Sequence, residues 1–177
     1  MKGWRNIKFL SIVSIVIVVA VCLLFTKHSK QINAFHWELR YEDSALKRRG
    51  FYRVWSDGET RYRLEVWESE GKIIYLCDLK EGWVYRLNPA YRVGEKHSKN
   101  SRMFALISTF CLSTPQEVQR LFRQPKQGVK RVKRWGRIWE SWAKGPEVYW
   151  LHIQGQIKVP DSYFQVPKGY IVKRFPW

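Results

Sequence analysis

The sequence has little of the material from which metal sites and catalytic centres are built. It contains four histidines and three cysteines, and none of them stand at the spacing of a zinc site. A glycine-rich phosphate loop and the nucleophile elbow of a serine hydrolase are absent as well. The carboxylates are scattered and mostly adjoin Arg or Lys, which favours solvated ion pairs over acid–base catalysis. We therefore expect no enzyme, no metal and no cofactor.

Long apolar runs are absent except near the N-terminus. Residues 9–25 carry no charge, Pro or Gly and are bracketed by Lys8 and Lys27. As a helix this run would measure about 26 Å, close to the roughly 30 Å of a bilayer's hydrocarbon core. We predict an uncleaved membrane anchor. The alternatives are an export signal cut after Ala20 and lipidation of Cys22.

The predicted anchor determines the expected domain organisation and location. Residues 1–8 form a basic leader, 9–25 a transmembrane segment, 26–33 a linker and 34–177 one folded domain. A basic leader favours the inside of the membrane. We therefore expect a single-pass protein of the cell envelope, anchored in the cytoplasmic membrane, whose C-terminal domain faces the periplasm or the exterior.

Acidic residues are scarce, and the charge balance is strongly basic. The 15 Asp and Glu stand against 32 Lys and Arg, a formal net charge of +17. A stretch between Val118 and Trp139 lacks acids altogether, and it predicts a solubilising face or a surface for anionic lipid headgroups, an anionic polymer or an acidic partner protein. Nucleic acid is not expected as a partner of an exported domain. The basic residues of this stretch are Arg120, Arg123, Lys126, Lys130, Arg131, Lys133, Arg134 and Arg137.

Alternating apolar and polar residues, separated by short polar turns, predict strands over most of the chain. In residues 34–41, for example, Phe35 and Trp37 alternate with His36 and Glu38. Leu and Ala, the usual helix builders, are sparse in these segments. The same pattern predicts strands at residues 51–55, 60–67, 72–78, 83–87, 129–134, 137–142 and 147–153.

Two short helices are predicted between the strands. Residues 102–112 carry apolar side chains at helical intervals. Thr114 and Glu117 form a capping box with Pro115 at the first helical position, so a second helix should begin there and end near Arg123. This order of elements predicts an α+β domain, in which a curved antiparallel sheet wraps a short helical insert.

Aromatic residues are unusually frequent, with ten Trp, nine Tyr and nine Phe. On a curved sheet closed by a helix, large apolar side chains can line a hollow, and such a cavity suits acyl chains. The alternative is a fully packed core. The predicted cavity residues are Phe35, Trp37, Tyr62, Leu64, Ile74, Leu76, Trp83, Tyr85 and Trp150.

Two of the cysteines, Cys77 and Cys111, fall in the predicted domain. A disulfide between them is permitted in an exported protein. The alternative is a pair of buried thiols that behave as small apolar side chains.

Several short motifs follow one another in a familiar order. Residues 58–65 read G-E-T-R-Y-R-L-E. Residues 71–78 and 81–85 follow and lead to an Asn-Pro pair. Near the end of the chain, residues 160–170 have the form P-x-x-x-F-x-x-P-x-G-Y. In this order they resemble the LolA/LolB-like superfamily of bacterial outer-membrane lipoprotein carriers. Glu81-Gly82 stands where that family usually has Asp-Gly.

The resemblance implies an unclosed antiparallel β-barrel with a helical lid and a cavity that holds the acyl chains of a lipid or lipoprotein. By position, it places Tyr62, Leu64, Trp83 and Tyr85 at that cavity and makes Arg63 the matching arginine of its strand. The expected function is passive, membrane-side binding of acyl chains by a carrier or receptor. The alternative is a non-catalytic interaction or envelope-sensing module with a basic docking face. The residues predicted to hold a headgroup or an acidic partner are Arg63, Lys130, Arg131, Lys133, Arg134 and Arg137.

Overall fold

A computed structural model describes residues 30–68, 71–122 and 128–175. In these parts of the chain ten strands form one open sheet, in the order β10-β6-β5-β4-β3-β2-β1-β9-β8-β7. All paired neighbours are antiparallel except β10 and β6, which are parallel. The strands are β1 (Gln31–Asp43), β2 (Arg48–Ser56), β3 (Arg61–Glu68), β4 (Gly71–Asp78), β5 (Trp83–Asn88), β6 (Val93–Ser98), β7 (Lys130–Arg134), β8 (Arg137–Lys144), β9 (Glu147–Pro160) and β10 (Ile171–Arg174).

The described residues also include α1 (Arg102–Ser108), α2 (Pro115–Phe122) and a single 3-10 turn at Asp161–Phe164. The predicted capping box at the start of α2 is confirmed. The backbone N–H of Glu117 donates to the Thr114 hydroxyl over 3.2 Å, and the N–H of Thr114 donates back to the Glu117 carboxylate over 3.1 Å. These hydrogen bonds satisfy amide groups that have no partner inside the helix.

The predicted α+β class is wrong, because the domain is mostly β. Its helices have only 7 and 8 residues, whereas the strands form a single ten-stranded sheet. The prediction missed β6 and β10, which add strands at one edge, and it ended β9 seven residues too early, at Ile153 instead of Pro160. The parallel β10–β6 pair also makes the sheet mixed rather than purely antiparallel. An open sheet of this kind is compatible with a half-barrel.

The predicted transmembrane helix is also corrected. Among residues 30–68, 71–122 and 128–175, no helix is long and apolar enough to cross a bilayer. The predicted span, residues 9–25, lies outside the described residues.

Both faces of the sheet are covered. The helix face is the side that packs against α1 and α2, and it holds the largest apolar cluster, with Trp37, Leu64 and Leu151 among its buried members. The tail face is the opposite side, and it packs against residues 161–170, which follow β9. Because side chains alternate along a strand, each strand contributes every second residue to each face.

Candidate functional site

The helix face is a continuous apolar surface that runs across the middle strands of the sheet. Cross-strand pairs place Val54 opposite Leu64 and Leu64 opposite Tyr75, so these side chains lie on one face. Its fully buried strand residues are Phe35, Trp37, Leu39, Val54, Tyr62, Leu64, Val66, Cys77, Val84 and Leu151.

The two helices cover this face lightly. Each contributes a single fully buried side chain, Ile107 from α1 and Val118 from α2. Their other apolar residues in contact with the face, such as Met103, Phe104 and Phe122, are only partly buried. Displacing these two helices should therefore cost less free energy than disrupting the sheet beneath them.

The structure divides the predicted cavity residues between the two faces. Phe35, Trp37, Tyr62 and Leu64 lie together on the helix face. The predicted cavity set left out Leu39, Val54, Val66, Val84 and Leu151, although the alternation along their strands indicates this face. On the tail face lie the remaining predicted residues, Ile74, Leu76, Trp83, Tyr85 and Trp150.

Polar groups at the margin of the helix face are paired. The Tyr62 hydroxyl lies 2.8 Å from the Ser113 hydroxyl, in the segment between α1 and α2. Burial raises the pKa of Tyr62, so the phenol stays neutral at ordinary pH. This contact ties the helical cover to β3 at one point.

Cys77 and Cys111 also meet at the helix face, and both are free thiols. Cys77 is buried in β4, and the half-buried Cys111 follows α1, where its thiol donates to the carbonyl of Ile107 over 3.5 Å. The neighbouring Cys77 thiol, together with burial, raises the pKa of the Cys111 thiol. The pair joins the helical cover to the sheet without a covalent bond.

The tail face contains a buried carboxylate, Glu38, that is held by two arginines and a histidine. Its Oε1 lies 3.2 Å from His36 Nε2 and 3.0 Å from Arg137 Nη1. Arg53 Nε is 3.1 Å away but poorly directed for a hydrogen bond, so that contact is ionic. Burial would raise the pKa of Glu38, but the His36 hydrogen bond and the Arg53 and Arg137 charges outweigh it and lower the pKa from 4.5 to about 2.

Arg63, predicted to hold a headgroup, is buried on the tail face and already engaged. Its Nη2 lies 2.6 Å from Glu65 Oε1, and its Nη1 donates to the carbonyl of Tyr163 over 3.0 Å. Lys72 completes the group with its Nζ 2.8 Å from Glu65 Oε2. Arg63 therefore holds the tail against the sheet, which is a structural task.

The other predicted headgroup residues come together on the β7–β8 hairpin. Lys130, Arg131, Lys133 and Arg134 are exposed there, and none forms an ion pair within the described parts of the chain. Arg137 differs, because its guanidinium reaches the buried Glu38. The strand register divides the exposed cations between the two sides of the hairpin. Arg131 and Lys133 lie on the side of the helix face, and Lys130 and Arg134 lie on the side of the tail face.

No protein-family model matches this sequence, and no curated protein matches it. The resemblance to the lipoprotein carriers therefore stays a prediction that rests on its motifs.

Proposed function

We propose that this protein binds the acyl chains of a lipid or lipoprotein on its helix face, as a non-catalytic component of the cell envelope. One observation carries the proposal. A broad, continuous apolar surface of the sheet is covered by two short helices that each bury one side chain fully. Binding would exchange this cover for the ligand.

The burial of an acyl chain can offset the loss of the buried helical contacts. Withdrawing Ile107 and Val118 from the sheet costs about 1.5–3 kcal/mol for each side chain. An acyl chain gains about 0.8 kcal/mol for each methylene that it buries, so ten methylenes contribute about 8 kcal/mol. The chain therefore offsets the loss of Ile107 and Val118 and leaves a remainder against the exposure of the partly buried Met103, Phe104 and Phe122.

Leu64 and Leu76 provide a matched test of which face binds the ligand. They lie on neighbouring strands, are 3% and 1% exposed, and belong to opposite faces. A polar amide at either position should destabilise the fold to a similar degree. Leu64→Asn should in addition weaken binding of a fluorescent fatty acid about tenfold, because several chain methylenes lose an apolar neighbour. Leu76→Asn should leave the affinity unchanged.

Both variants must be compared as folded proteins, so circular dichroism and melting temperatures accompany the titration. Equal losses of fatty-acid affinity in the two variants, or no loss in either, would contradict binding at the helix face.

A further inference from the structure

A cavity of about 880 Å³ opens where the β1–β2 turn approaches the turn between β7 and β8. Its volume falls within the usual range for small-molecule sites. The cations that line it are Arg40, Lys47, Arg48 and Arg49, and the one carboxylate in its lining is Glu42. Glu42 and Arg49 form a loose, exposed ion pair at 3.7 Å. The cavity is therefore strongly positive.

Arg40 is the most unusual cation in this lining. Its guanidinium lies over the ring of Phe51 at 4.1 Å and over that of Trp135 at 4.2 Å. Its Nε is buried without a hydrogen-bond partner, and the guanidinium forms no ion pair within the described residues. The rings hold the guanidinium in place, so it can accept an anion as its partner at a low cost in side-chain entropy.

Glu38 and Glu42 both lie two residues from Arg40 on β1, and neither forms an ion pair with its guanidinium. Glu38 is directly engaged by His36, Arg53 and Arg137. Burial lowers the pKa of Arg40 more than the Glu38 charge raises it. The partly buried charge of Arg40 is thus incompletely compensated, and a bound anion would compensate it.

Aromatic rings form the other part of the lining. Trp135 is 49% exposed at the β7–β8 turn. Edge-to-face contacts with the rings of Trp139 and Trp150, at centroid distances of 5.3 and 5.9 Å, hold it in place. Trp67 lines the same cavity. Arg40 and, at 5.7 Å, Arg134 lie over the Trp135 ring. The exposed remainder of this ring can stack on the ring of a ligand whose phosphate contacts the cations.

We propose that this cavity binds a phosphate group attached to a ring, as in a sugar phosphate or a nucleotide. Arg40 would contact the phosphate, with Lys47, Arg48 and Arg49 around it, and Trp135 would stack on the ring. A planar guanidinium suits phosphate because it donates two parallel hydrogen bonds. The site lies largely on the tail face, so it does not depend on acyl binding at the helix face.

The test is isothermal titration of the full-length protein with inorganic phosphate, glucose 1-phosphate, AMP and glucose. Glucose 1-phosphate or AMP should bind more tightly than inorganic phosphate, and uncharged glucose should give no measurable heat. The tighter of the two ring-bearing ligands identifies the source as a sugar phosphate or a nucleotide.

Three variants locate the binding. Arg40→Ala should weaken binding of the preferred ligand about tenfold through the loss of a charge-assisted contact. Arg48→Ala changes an exposed side chain that the fold does not need, and it should weaken binding about threefold. Lys133→Ala removes an exposed hairpin cation outside the cavity and should leave the affinity unchanged.

Three results would overturn the proposal. The first is the absence of binding by all three phosphates at millimolar concentration. The second is an equal loss of affinity in the Arg48→Ala and Lys133→Ala variants, which would indicate general charge attraction. The third is equal affinity for inorganic phosphate and both ring-bearing ligands, which would exclude a role for the aromatic wall.

Discussion

Replacing Glu38 by Ala should lower the free energy of unfolding by about 3–5 kcal/mol, as is typical when one partner of a buried ionic group is removed. The Glu38 side chain is 3% exposed and lies within 3.2 Å of His36, Arg53 and Arg137. Without the carboxylate, the Arg53 and Arg137 guanidinium groups would repel each other in a partly buried site. Chemical denaturation of the wild-type and variant proteins measures the difference.

Glu42→Ala is the matched control, since Glu42 lies on the same strand but is exposed and forms only a loose ion pair with Arg49. Removing its side chain should lower the free energy of unfolding by less than about 1 kcal/mol.

The stability that Glu38 contributes should also depend on pH. Because folding lowers its pKa from 4.5 to about 2, its contribution is complete above pH 4.5 and is lost as the pH falls towards 2, a change of about 3 kcal/mol. Equal destabilisation by Glu38→Ala and Glu42→Ala would refute this description of the cluster.

Oxidising Cys77 and Cys111 to a disulfide should abolish acyl binding. Cys77 belongs to the sheet, and Cys111 follows α1 in the helical cover. A covalent bond between them would hold the cover on the helix face, so an acyl chain could not replace it. The experiment treats the full chain with a mild thiol oxidant in a Cys22→Ser background, which prevents other pairings, and measures fatty-acid binding.

A reductant should restore binding to the oxidised protein, and a Cys111→Ser variant should bind fatty acid with or without the oxidant. Full binding by protein whose mass shows the intramolecular disulfide would mean that the helices need not move, and the proposed exchange would be wrong.

Local patterns in the sequence predicted the individual elements better than their assembly. The alternation around Phe35 and Trp37 predicted β1, and the Thr114–Glu117 capping box predicted the start of α2. β6 has no such pattern, since only Val93 among its six residues is apolar apart from glycine. The pairing of β6 with β5 favours glycine at position 94, because a Cβ atom there would lie 3.1 Å from the carbonyl oxygen of Arg86 on β5. A contact between separate strands of this kind cannot be recognised from one segment.

The division of the cavity residues has a similar cause. Alternation shows which residues of one strand share a face, but the register between strands decides which faces coincide. Leu64 pairs with Tyr75, and this register places Leu76 on the opposite side of the sheet. The sequence analysis combined large apolar residues from both sides. The Arg40 cavity was missed for a related reason, because Arg40, Trp67 and Trp135 come from distant parts of the chain.

Native mass spectrometry of the full-length protein, purified without detergent, tests acyl binding most directly. We expect adducts of lipid mass that disappear on denaturation, persist in Leu76→Asn and are depleted in Leu64→Asn. A single unliganded mass in all three proteins, unchanged after incubation with phospholipid and with lipoprotein, would contradict the account and identify the helix face as a packed core.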